Sequence, residues 1–187
     1  MPLLLLDRDG VINEERPDYV TRWEQFRFLP GAIDALAACR KLGFRLAIIT
    51  NQSAVGRGLL SPDGLDSIHN LMLAECAARG VEIDLVLACT HAAGAGCDCR
   101  KPRPGLIARA LAALGERPRD SLYIGDGHED LGAARAASVP FVLVRTGRGE
   151  ETLRHPWCRS HPPLLVVDGL REAARALAGR LEGARAA

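Results

Sequence analysis

The sequence predicts an α/β protein, a Rossmann-like three-layer sandwich around a central, mostly parallel sheet. Short apolar runs alternate with longer segments of helical period, which is the pattern of βα units packed on both faces of such a sheet. Three of those runs end directly in a polar residue, at Asp7, Thr50 and Asp126. A chain of 187 residues with 48% hydrophobic and 25% charged side chains has the composition of an ordinary globular domain with its own core.

Leu3 to Asp7 reads as the first strand, and a helix starts near Pro30-Gly31 with Ile33, Leu36, Ala37 and Leu42 at helical spacing. Strand two is Phe44 to Thr50. Ser61-Pro62 forms an N-cap and N1 pair for a helix with Leu65, Ile68, Met72 and Cys76 on one side, closed by Gly80. Strand three, Leu85 to Ala88, leads through a cysteine-rich loop to a helix from Pro104 to Leu114 that Gly115 stops. Strand four is Leu122 to Gly125, a helix follows from Glu129 to Ala137, and strand five is Phe141 to Val144. A Pro- and Arg-rich loop, Arg145 to Pro163, precedes a last apolar run, Leu164 to Val167, and a C-terminal helix whose final residues fray. With no repeat and no linker, residues 1–187 read as a single domain. The stretches after strand one and after Thr50, about twenty and ten residues, are too short for a separate cap domain.

Composition excludes several functions. The 24 basic residues barely exceed the 23 acidic ones, so the electrostatic footprint of a nucleic-acid binder is missing. Leu3–Leu6 is too short for a signal sequence or a spanning helix, and the expectation is a cytoplasmic, monomeric protein with no membrane partner. Six cysteines without an export signal favour metal ligation over disulfides.

In open α/β sheets ligands bind beyond the carboxyl ends of the strands, where strand order reverses. If strand one is central between strands two and four, Asp7, Thr50 and Asp126 meet over one crevice. Asp7-Arg8-Asp9-Gly10 puts two carboxylates two residues apart at that point, which is costly unless a cation compensates. An Asx-type turn would explain the tetrapeptide alone. It does not explain the further presence of Thr50-Asn51, of Lys101 in a chain with only two lysines, and of Gly125-Asp126 with Asp130.

A second constellation is Cys89-x-His91 followed by Cys97-x-Cys99. Four soft ligands close together after a strand suit a closed tetrahedral Zn²⁺ site over residues 89–99. The alternative, small core cysteines, fails because the intervening Gly/Ala loop has no core to offer. His69, His128, His155 and His161 read as surface or helix-face histidines, Cys39 and Cys76 as core residues, and Cys158 finds no place.

The set Asp7/Asp9, Thr50, Lys101 and Asp126, in this order at strand ends and helix starts, resembles the haloacid dehalogenase superfamily of phosphohydrolases. Within it, the strings DRDGVIN (Asp7 to Asn13), TNQSAVGRG (Thr50 to Gly58) and CRKPRPG (Cys99 to Gly105) are similar to the heptose 1,7-bisphosphate phosphatases and the related histidinol-phosphate phosphatases. The resemblance implies hydrolysis of a small phosphorylated sugar. Asp7 is then the nucleophile that forms an aspartyl-phosphate, and Asp9 the acid and base, with its pKa raised. Mg²⁺ is held by Asp7, the Asp9 carbonyl and Asp126. Thr50, amides at Asn51 and Gln52, and Lys101 as a flexible point charge serve the phosphoryl oxygens, while Ser53, Arg57 and Arg100 belong to the substrate rim. The Cys89, His91, Cys97 and Cys99 loop matches the family's zinc loop and places Arg100 and Lys101 at the crevice. Gly127 departs from the lysine found there in several relatives.

Two readings of other classes compete. A receiver-type signalling domain also gathers acids and a lysine at strand ends, but needs neither Thr50 nor the metal loop. A zinc-dependent nucleic-acid module over Cys89 to Arg103 conflicts with the near-zero net charge.

Overall fold

The computed structural model describes the backbone of residues 2–186 and side chains through residue 180; the chain end expected to fray lies outside the described side chains. Six strands form one parallel sheet: β1 (Leu3–Leu6), β2 (Arg45–Asn51), β3 (Leu85–Cys89), β4 (Ser121–Gly125), β5 (Phe141–Val144) and β6 (Leu165–Val167), in the order β3-β2-β1-β4-β5-β6. Every pairing is parallel, and Leu6 lies level with Ile48 on one side and Ile124 on the other.

The central position of β1 explains its composition. A parallel strand covered on both faces has no polar side to present, and all four of its leucines are fully buried. Leu4 and Leu6 join one core with α1 (Ala32–Lys41), α3 (Pro62–Ala77) and α8 (Leu170–Ala186), whereas Leu3 and Leu5 join the other with α4 (Gly105–Leu114) and α5 (His128–Ala136). The chain winds from β1 outward to β3, returns to β4 and winds outward again. The reversal therefore falls at β1, with Asp7 and Asp126 just past the ends of β1 and β4 and Thr50 as the penultimate residue of β2.

Two local features differ from the sequence reading. A single helical turn, α2 (Ser53–Gly56), follows β2 directly. The segment 145–163, read as a loop, carries α6 (Gly149–Arg154) and α7 (Pro156–Ser160). Prolines and arginines there mark helix starts and ends, with Pro156 at the first position of α7. Cys158 is buried in the second core. Among the described residues no helix is long and apolar enough to cross a membrane.

Candidate active site

Asp7 is the first residue past β1, and its amide donates to Ile124 O of β4 (3.0 Å), so the sheet itself fixes the side chain. Lys101, from the turn before α4, is 3% exposed. Its Nζ contacts Asp7 Oδ1 (2.8 Å) and Asp130 Oδ1 (2.6 Å) and donates to Ile49 O (3.0 Å) and Tyr123 Oη (3.1 Å). The flexible point charge expected there is instead a pinned one, because three ammonium protons face four acceptors. Burial alone would lower the Lys101 pKa, but Asp130 and Asp7 outweigh it and raise it. Burial and the Asp130 charge push the Asp7 carboxyl up to about 7, against the opposing pull of Lys101.

Asp126 and Asp130 divide two duties. Asp130 receives Lys101, the Tyr123 hydroxyl (2.8 Å) and the Gly127 amide (2.9 Å), and these partners overcome its burial to hold its pKa below the ordinary value. Asp126 Oδ2 accepts from the Arg148 amide (2.7 Å), while its buried Oδ1 has no hydrogen-bond partner. Burial first, then Asp130 and Asp7, drive the Asp126 pKa well above the usual carboxylate range. Side-chain oxygens of Asp7, Asp126 and Asp130 lie within 4.8 Å of one another. Three carboxylates against one ammonium leave a deficit that a divalent cation matches, and the orphaned Asp126 Oδ1 gives it a ligand. These residues therefore fit Mg²⁺. Gly10 (φ +80°) and Gly147 (φ +56°) flank Asp126, and a Cβ on either would collide with its carboxylate.

The Asp9 carboxylate stands outside that cluster. Arg8 Nη2 (2.9 Å) and Asn13 Nδ2 (2.8 Å) donate to Oδ1, and Gln52 Nε2 (2.7 Å) donates to Oδ2. Burial would raise its pKa, but Arg8 and these donors lower it. The rise expected from the sequence is thus reversed in the free protein, because an ionised carboxylate accepts all three bonds. Gln52 also differs from expectation: its amide is already spent on Cys89 O (2.7 Å), and its side chain instead bridges Asp9 and Thr50 Oγ1 (2.8 Å). Alternation along a parallel ladder turns the Asn51 amide the other way, toward the crevice. The Asn51 side chain clasps the Lys101 backbone in both directions, at 3.2 and 3.1 Å. Thr50, 1% exposed, accepts from Gln52 and keeps its own proton to donate.

Asp7, Asp9, Thr50, Asn51, Gln52, Lys101 and Asp130 line one crevice of about 210 Å³, with Ser53, Arg57 and Arg100 on its wall. Arg57 lies over the Tyr19 ring (5.8 Å). Arg148, which the sequence reading did not single out, pairs with Glu15 (3.1 Å) and Glu129 (3.2 Å) across the same crevice. Its guanidinium lies where a side chain at position 127 would project, since a Cβ on Gly127 would come 2.7 Å from Arg148 Nη2.

At the cysteine loop, Cys89 Sγ lies 3.3 Å from Cys99 Sγ and 3.7 Å from Cys97 Sγ, and His91 Nδ1 lies 3.6 and 3.3 Å from Cys89 and Cys99. Zn–S bonds of about 2.3 Å in a tetrahedron put sulfurs roughly 3.8 Å apart, so this donor set fits zinc. Arg103 Nη1 closes the loop from outside on Gly96 O and Cys97 O (2.5 Å each).

Two further buried polar groups escaped the sequence reading. Arg8 is 1% exposed, and its partner His69, read as a surface or helix-face residue, is 7% exposed. Helical spacing does carry a signal for His69, which shares the buried stripe of Leu65, Ile68 and Met72. No local pattern marks Arg8 or Tyr123.

Comparison with known proteins gives a consistent picture. A family model described as "HAD-hyrolase-like" matches residues 98–173. The chain is 39% identical over 179 residues to the D-glycero-beta-D-manno-heptose-1,7-bisphosphate 7-phosphatase of Pseudomonas putida, covering 95% of this chain and 99% of that protein. The Pseudomonas aeruginosa protein of the same name is 37% identical, covering 94% and 97%. The crystal structure of D,D-heptose 1,7-bisphosphate phosphatase from B. bronchiseptica, complexed with magnesium and phosphate, superposes with a TM-score of 0.89 at 32% identity, covering 96% of this chain and 99% of that one.

Proposed function

The chain belongs to the family of the D-glycero-beta-D-manno-heptose-1,7-bisphosphate 7-phosphatases, within the HAD-like hydrolases, and from that premise we propose how its own residues remove the 7-phosphate of such a bisphosphate. The observation that carries the proposal is the Asp7 carboxylate, fixed at the sheet's switch point beside Lys101 and the unpartnered Asp126 oxygen.

Asp7 attacks phosphorus and becomes an aspartyl-phosphate while the sugar oxygen leaves. Lys101, the Thr50 hydroxyl and the Asn51 amide take the charge that spreads over the equatorial oxygens. Asp7, Asp126 and the Asp9 carbonyl would hold Mg²⁺, which supplies charge neutralisation of the transferring group. Asp9 takes up its proton when an anionic ester lies beside it, because like charge disfavours the carboxylate. It gives that proton to the leaving oxygen, then removes one from the water that attacks the aspartyl-phosphate. Gln52 keeps Asp9 in line with Thr50. Asp130 orients Lys101 and the Gly127 turn.

The same reading assigns residues 1–187 to one hydrolase domain. It gives Cys89, His91, Cys97 and Cys99 a structural Zn²⁺ that holds Arg100 and Lys101 at the crevice. The rim arginines, Arg57 and Arg100, with Ser53, face the part of the substrate remote from the reacting phosphate.

A screen of phosphate release over sugar bisphosphates, sugar monophosphates and histidinol phosphate tests the function. The expected outcome is preference for the heptose 1,7-bisphosphate. Preference for histidinol phosphate over every sugar bisphosphate would move the chain to the histidinol-phosphate branch, and no turnover with any of them would refute the reading.

A further inference from the structure

Arg8 separates the two aspartates of the DRDG turn, and it is fully buried. Its guanidinium lies over the Phe26 ring (5.7 Å) and, among the described residues, forms side-chain hydrogen bonds at two ends only. Nη2 donates to Asp9 Oδ1 at 2.9 Å, and Nη1 meets His69 Nε2 at 3.1 Å. Arg8 Nε has no partner. His69 comes from α3, 61 residues along the chain. A guanidinium has only donors, so Nε2 of His69 carries the lone pair and the ring is neutral, with its proton on Nδ1. Burial and the Arg8 charge also lower the His69 pKa to about 4.

We propose that His69 is a positioning residue for the proton-transferring carboxylate: as a neutral acceptor it fixes the Arg8 guanidinium, which in turn fixes Asp9. This rests on the reading of Asp9 as the acid and base. Without an acceptor at position 69, a buried Nη1 joins the already unpartnered Nε, and two unsatisfied donors on one buried guanidinium are costly enough to make it turn. The acceptor it already holds is the Asp9 carboxylate. A second bond from Arg8 to that carboxylate competes with Gln52 for Oδ2 and swings the group off the leaving oxygen. Lys101, Thr50 and Asn51 are untouched, so phosphate binding is kept while proton delivery suffers.

The test compares His69→Leu, His69→Gln and His69→Asn with Asp9→Asn, on a sugar phosphate and on an aryl phosphate whose leaving group needs no acid. A Gln amide reaches the place of Nε2; the shorter Asn reaches only that of Nδ1. The expected result for His69→Leu is a kcat loss of roughly tenfold on the sugar phosphate, part of the 10²–10⁴ a general acid contributes. KM should stay nearly unchanged, the loss in kcat/KM, which reports the steps up to leaving-group departure and not the later water attack that both substrates share, should be much smaller on the aryl phosphate, and His69→Gln should recover activity. If His69→Leu fails to fold, the comparison of Gln with Asn decides, with Gln expected to be the more active on the sugar phosphate alone. Equal losses on both substrates, or equal activities of Gln and Asn, would overturn the role of His69. If Asp9→Asn itself loses activity equally on both substrates, the acid reading of Asp9 falls and this role falls with it.

Discussion

Lys101 Nζ lies 2.8 Å from Asp7 Oδ1, in a pocket where Asp130 is the only other acid touching it among the described residues. One buried cation therefore holds Asp7, the proposed nucleophile, and is itself held by a residue of α5. Replacing Asp7 by Asn keeps the shape and removes the proposed attacking anion and metal ligand. Turnover of the heptose bisphosphate should fall to background with the thermal transition retained. More than about a tenth of wild-type activity, roughly a 1.4 kcal/mol effect, would rule out a covalent aspartyl-phosphate.

The raised pKa of Asp7 links metal binding to pH. A carboxylate at about 7 must lose its proton to bind a cation, so Mg²⁺ competes with protons below that value and not well above it. For the Asp7 proton alone, half-saturating Mg²⁺ should rise about tenfold from pH 8 to pH 6. Mg²⁺ activation curves at pH 6, 7 and 8 measure this, and a constant half-saturation would show that Asp7 is ionised throughout.

The cysteine loop should hold about one equivalent of zinc in protein purified without chelator, by elemental analysis. The Cys97→Ser, Cys99→Ser double variant should lose it, and its phosphatase activity should drop as Arg100 and Lys101 lose their anchor. Zinc content unchanged in that variant would remove the site.

Arg100 lines the crevice without touching Asp7. A charge-assisted contact to a remote phosphate is worth roughly 1.5–3 kcal/mol. Arg100→Ala should then lower kcat/KM for a heptose 1,7-bisphosphate about 10- to 150-fold and leave an aryl phosphate nearly untouched. Equal losses would place Arg100 at the reacting phosphate.

His69 gives the fold its own acid sensitivity. Its pKa is about 4 in the fold, lowered by burial and Arg8, against about 6.5 in the unfolded chain. Between those values the unfolded state binds more protons, so stability is full above about pH 6.5 and falls as pH drops toward 4, by about 3 kcal/mol in all. Denaturant titrations at pH 7 and pH 4 should show that extra loss in wild type relative to His69→Gln. An identical loss in both proteins would mean that His69 is protonated in the fold.

The sequence by itself determined the strand and helix order, because short continuous apolar runs and segments of 3.6-residue period are written within windows of about ten residues. It also determined which strand ends carry Asp7, Thr50 and Asp126, and that Cys89, His91, Cys97 and Cys99 are close enough to share an ion, since all four lie within eleven residues at a strand end and the loop after it. What only the tertiary structure decided is the state of the charged groups. Lys101 is pinned because Asp130 and Tyr123, from α5 and β4, fold around it. Asp9 stays ionised because Arg8, Asn13 and Gln52 all donate to it. Arg8 can be buried because a histidine on α3 meets it, and Arg148 reaches Glu15 and Glu129 because the segment after β5 turns back over the site. A charge's pKa and freedom depend on what packs against it from distant parts of the chain, and no local periodicity records that.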